Sequence, residues 1–147
     1  MTTRDNGYAA LIARLDAAKR LAVSVGVHES EGSASVGALT VAQIAEINEF
    51  GLGPPARPAI TGWAESRRES APREIRDRMA AALKARVSVA QALDQLAQFY
   101  AGEVQTRISG GTPPPNAAST IARKGSSTPL VDTGTFRASI RGKVIAL

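Results

Sequence analysis

Arg20-Leu21-Ala22-Val23-Ser24-Val25-Gly26-Val27-His28 is the stretch whose reading decides the fold. Leu21, Val23, Val25 and Val27 alternate with Ala22, Ser24, Gly26 and His28. A period of two, rich in β-branched residues, predicts a strand with one face toward a core. Such a strand needs a pairing partner. Residues 140–147 read as a final strand that can supply it. The expected sheet is small and antiparallel, and it needs helices packed against it to be stable.

The rest of the chain supplies those helices. Residues 8–19 place Leu11, Ile12 and Leu15 at helical spacing. Val89, Leu93, Leu96, Tyr100, Val104 and Ile108 are spaced by four, three, four, four and four, which predicts a long amphipathic helix over 89–108. Thr40 with Gln43 forms a capping-box pattern. The helix after it carries Val41, Ile44 and Ile47 on one side and Phe50 near its end, and Gly51 is placed to terminate it. Residues 51–58 hold Pro54, Pro55 and Pro58 with Gly51 and Gly53, so they cannot be regular structure. A short helix is expected around Trp63 over 59–69. Pro72 suits the first turn of the next helix, whose stripe is Ile75, Met79, Ala82 and Leu83. Ser88 with Gln91 is a second capping-box pattern and predicts a break near 87–89. Residues 29–39 and 109–131 read as flexible loops, the first with a hairpin extension left open. Asp132 is expected to cap a short helix through 133–139. No internal repeat appears. The fold class is α+β in a single domain over 1–147.

Composition narrows the function. The 147 residues are 44% hydrophobic but only 4% aromatic, so the core rests on Ala, Val, Leu and Ile. The absence of cysteine excludes a disulfide framework and any thiolate metal site, and it fits a reducing cytoplasm. Residues 1–7 do not read as a signal peptide, and no apolar run is long enough to span a membrane. The net charge of +5 and pI of about 10.2 favour negatively charged partners, nucleic acid or an acidic protein. The charges are dispersed, which favours an ordinary soluble basic protein.

The search for chemistry is mostly negative. His28-Glu29 begins like a zinc-protease helix, but residue 32 is Gly where the second histidine would stand. His28 reads as an ordinary strand-end residue. A Ser-His-Asp set is assembled in space and stays open, although no Gly-x-Ser-x-Gly elbow is present. Gly51-Leu-Gly53 runs into Pro54-Pro55, which offer no N–H groups to a phosphate. Glu46 and Glu49 stand three apart on a helix. An acid pair is one reading and solvated or interface charge the preferred one. Trp63, beside Arg67 and Arg68, is either a base-stacking platform or an anchor of the core or a subunit interface, the latter preferred. Arg123-Lys124 suits DNA phosphates or an acidic neighbouring subunit, and the sequence does not separate the two. No enzyme activity, cofactor or metal is expected.

Three ordered segments carry a resemblance. They are Val41-Ala-Gln-Ile-Ala-Glu-Ile-Asn-Glu-Phe-Gly51 with Pro55-Ala-Arg-Pro58, then Pro115-Asn-Ala-Ala-Ser-Thr-Ile-Ala-Arg-Lys-Gly125, then Pro129-Leu-Val-Asp-Thr-Gly134 continuing to Phe136-Arg-Ala-Ser-Ile140. Together they resemble the virion-morphogenesis proteins of Mu-like phages and prophages, which are similar to tail-completion or neck components of long-tailed phages. The resemblance spans roughly 20–147. It implies a non-enzymatic virion protein, made in the host bacterial cytoplasm and assembled as a homo-oligomeric, hexameric ring at the head–tail junction. Its implied partners are other neck, connector and tail-tube proteins, with contact to packaged DNA in the lumen left open. Phe50, Arg57, Pro58, Trp63, Asp132 and Gly134 are the expected organisers of the subunit and its interfaces. An aspartic-protease reading of Asp132-Thr-Gly134 needs a second matching carboxylate and the flanks of another fold. The competing functions are a tail-terminator or head-closure ring of the same neck, and a basic nucleic-acid-binding protein.

Overall fold

The computed structural model describes residues 7–85, 88–125, 127, 130 and 134–147. Chain order is α1 (Tyr8–Ala18), β1 (Leu21–Val27), α2 (Glu29–Gly32), β2 (Ser35–Val36), β3 (Leu39–Thr40), α3 (Val41–Phe50), α4 (Ile60–Arg67), α5 (Ala71–Lys84), α6 (Val89–Ser109), α7 (Ala118–Lys124), α8 (Thr135–Ser139) and β4 (Ile140–Ala146). The class is α+β. β1 and β4 pair antiparallel along their length, from Leu21 opposite Ala146 to Val27 opposite Ile140. The alternation expected of β1 is blunted, since all seven of its residues are half-buried. A two-stranded ribbon is too narrow to seal one face completely. β4 shows the period better: Ile140 and Gly142 are buried and Arg141 is exposed.

α6 is the spine. Val89, Leu93, Leu96, Tyr100, Val104 and Ile108 are all buried, as their spacing requires. Its N-terminal half packs with Ala18 of α1 and Ala82 of α5, and its C-terminal half with Val41, Ala59, Phe136 and Ile140. The ribbon lies hard against it. A Cβ built on Gly142 would stand 1.9 Å from the carbonyl oxygen of Ala97, so no side chain fits there. Two glutamines of α6 fasten the strand: Gln98 donates to the Gly142 carbonyl at 2.9 Å and Gln105 to the Ile140 carbonyl at 3.0 Å. Small residues in contact let helix and strand backbones approach, and side-chain amides then satisfy carbonyls of β4.

The predicted caps form. Thr40 accepts from the Gln43 backbone while the Gln43 side chain accepts from the Thr40 backbone, which is a complete capping box. Ser88 accepts from the Gln91 N–H at 3.4 Å, giving one arm of such a box. Pro72 sits in the first turn of α5. Two expected loops hold short regular elements, and the hairpin left open in the first is present. Residues 29–39 hold the single turn α2 and a minimal hairpin, with Ser35 opposite Thr40 and Val36 opposite Leu39. Residues 109–131 contain α7, which ends at Gly125 in the left-handed conformation. The short helix expected over 133–139 is α8, entered through Gly134 at φ 79°. Asp132, its expected cap, lies outside the described residues.

Candidate functional site

The site grows from the C-terminus of α3. Gly51 ends that helix at φ 70°, and a Cβ there would lie 2.8 Å from the Ala56 nitrogen. The chain can therefore fold back at once. The Arg57 N–H donates to the Asn48 carbonyl at 2.6 Å, closing the turn. The Arg57 side chain then crosses to a distant loop. Its Nε donates to the Pro114 carbonyl at 2.8 Å and its Nη2 to the Pro115 carbonyl at 3.2 Å. Proline segments make few hydrogen bonds of their own, so a buried guanidinium is an effective clamp between two of them. Arg57 is only 7% exposed, yet no carboxylate pairs with it among the described residues.

The sequence favours solvated or interface charge for Glu49, with an acid pair as the other option. Instead it is buried and caps α4 from outside that helix. Its carboxylate accepts from the Ile60 N–H at 2.7 Å, the Thr61 N–H at 3.1 Å and the Thr61 hydroxyl at 2.7 Å. Ala59, the residue at the N-cap, has no side-chain acceptor to do this. Negative charge at a helix N-terminus is favourable for the same reason. Glu46 is exposed and forms no pair with Glu49. The signal for Glu49 was present in the sequence: it continues the Val41 and Ala45 stripe, where a carboxylate must find partners.

Between the turn and the loop lies a groove of about 680 Å³. Ile44, Asn48, Pro54, Pro55 and Arg57 form one wall, Pro115, Thr120 and Arg123 belong to the other, and Gly134 and Phe136 also line it. Among the described residues lining it there is no carboxylate. Of the expected organisers, Arg57 and Gly134 meet here, and Pro58 completes the turn beside the fully buried Ala59. Phe50 does not enter the core. It is 67% exposed, with Leu52 at 56% beside it.

Trp63 belongs to a separate cluster joining α4, α5 and α6. Its ring meets Tyr100 edge-on at 5.2 Å, and its Nε1 donates to Glu103 at 3.1 Å. Arg67 bridges Glu103 and Glu74, and the Tyr100 hydroxyl donates to Glu74 at 2.7 Å. That hydrogen bond holds the Glu74 carboxyl below its usual range, while burial, reinforced by Glu74, pushes the Tyr100 phenol up. The indole is thus engaged as an anchor between α4 and α6.

Sequence reading missed one further pair. His28 caps nothing with its side chain, and its Nε2 lies 3.1 Å from the Ser24 hydroxyl. Its Nδ1 is buried without a hydrogen-bond partner. Among the described residues no third group hydrogen-bonds the ring at Nδ1. Among the described residues no helix is long and apolar enough to cross a membrane. Comparison with protein-family models, curated proteins and solved structures returned no match.

Proposed function

We propose that this protein is a structural subunit of a tailed-phage neck, which completes the tail and joins it to the head as part of a ring. It acts by binding. The observation that carries this reading is the clamp at Arg57. The Pro55-Ala-Arg-Pro58 segment, part of one of the three segments that carry the family resemblance, is a ledge tied to Pro114 and Pro115, and Phe50 and Leu52 before it stand in solvent. Apolar side chains presented on a fixed turn suit a permanent protein interface, where aromatic anchors contribute most. The groove on the opposite side of α3 is apolar with cationic groups, which suits a protein segment better than a reaction centre.

The test is electron microscopy of lysates from a phage or prophage lacking this gene, complemented by wild type or by Arg57→Ala. The expected result without the gene is filled heads beside separate tails, rescued by wild type and poorly by Arg57→Ala. Tails of aberrant length would move the assignment to a terminator ring. Normal joined virions without the gene would refute the structural role and leave salt-sensitive DNA binding as the property to measure.

A further inference from the structure

Two features of α3 point in opposite directions. Ile44 and Asn48 face the groove. Glu46 and Phe50 follow each of them by two residues, about 200° around the helix, and both are exposed. Leu52 extends the exposed side. One side of the helix therefore presents a knob of two large apolar side chains with a carboxylate one turn away. The other side borders a socket with apolar walls.

The two are complementary in charge. The socket holds Arg57 and Arg123 and no carboxylate among its described lining residues. Arg57 is buried, and its Nε and Nη2 donate to the carbonyls of Pro114 and Pro115. A carboxylate brought into the groove meets these two guanidinium groups. Arg123 is exposed, and neither it nor Glu46 forms an ion pair among the described residues. Because knob and socket lie on opposite sides of one helix, a chain cannot fill its own socket.

We infer that a second copy of this chain fills it: the Glu46–Phe50–Leu52 knob of one subunit docks in the Arg57–Arg123 groove of the next. Two different patches on one molecule make a heterologous contact, which repeats head to tail and closes into a ring when the rotation permits. The inference deepens the ring proposal and rests on it for closure.

Sedimentation velocity on the full chain over a wide concentration range tests it, with Phe50→Lys as the knob variant and Arg123→Glu as the socket variant. Both positions are exposed, and circular dichroism checks that each variant folds. Wild type should show mass rising with concentration, and each variant alone should self-associate roughly tenfold or more weakly. An equimolar mixture of the two variants retains one intact interface and should stop at a dimer. A wild-type chain that stays monomeric at its highest soluble concentration overturns the inference. So do variants that assemble as well as wild type. Oligomers that survive both substitutions leave the ring proposal standing and only relocate its contact, whereas joined virions from the gene deletion refute the ring itself.

Discussion

His28 illustrates how one residue makes stability depend on pH. Its ring is held by Ser24 at Nε2, and its Nδ1 is enclosed without a partner. Charging the ring either places an N–H on Nδ1 with no acceptor or strips Nε2 of its acceptor role toward Ser24, so both tautomers resist the proton. Burial is the largest cause of the lowered pKa. The Lys143 ammonium on β4 adds to it, and Glu31 on α2 opposes it. The folded pKa therefore lies below the 6.5 of the free side chain, and the unfolded chain takes up the proton first. Stability contributed by neutral His28 is complete above that value and is lost as pH falls through it toward the folded pKa. Urea midpoints measured from about pH 7.5 down to about 5.5 should fall for wild type and stay flat for His28→Gln. A parallel decline in both proteins would show that another group controls this window. The carboxylates of Glu31 and Glu74 are also lowered, from 4.5, so their contribution is lost only at more acid pH.

Among the elements, α4 depends most on a residue outside itself. With Glu49 removed, the N–H groups of Ile60 and Thr61 lose their acceptor beside the fully buried Ala59. Glu49→Ala should cost roughly 2–3 kcal/mol in chemical denaturation, and Glu49→Gln less, because an amide oxygen still accepts. A loss below about 0.5 kcal/mol for the alanine variant would mean that water caps α4 equally well. This dependence also marks where sequence reading stops. The stripe of α6, the alternation of β1, the Thr40 capping box and the Gly51 stop are local patterns, and periodicity exposes them. α7 was hidden because its central apolar residue, Ile121, is exposed and leaves no buried stripe to detect. α2 is a single turn of Glu-Ser-Glu-Gly with no apolar residue at all. Arg57 could be named as an organiser from its turn, but its partners at Pro114 and Pro115 stand 57 and 58 residues away. The groove exists only because those two segments meet, and no window of sequence contains both.

At the scale of the molecule, two apolar clusters hang on one helix of 21 residues, so the clusters are joined through α6 and the ribbon against it. Stability should then be graded outward from that spine. α6 and β4 are held together by Ala97 against Gly142 and by the two glutamine bonds, and β1 pairs along β4. α1 is attached differently. Ala18 is its one buried residue, whereas Tyr8 is 70% exposed and Leu11 and Ile12 are exposed as well. Its apolar side therefore meets the body of the protein only at its C-terminal end, and fraying from Tyr8 exposes little new apolar surface. Native-state hydrogen exchange should find the central amides of α6 opening only with global unfolding. The first two turns of α1 should exchange at least about a hundredfold faster, a gap of roughly 3 kcal/mol in opening free energy. If a ring neighbour covers Tyr8, Leu11 and Ile12, that gap narrows on assembly while the α6 amides are unchanged. Equal protection of α1 and α6 in the monomer would contradict this gradient and would require contacts on α1 that its exposure does not provide.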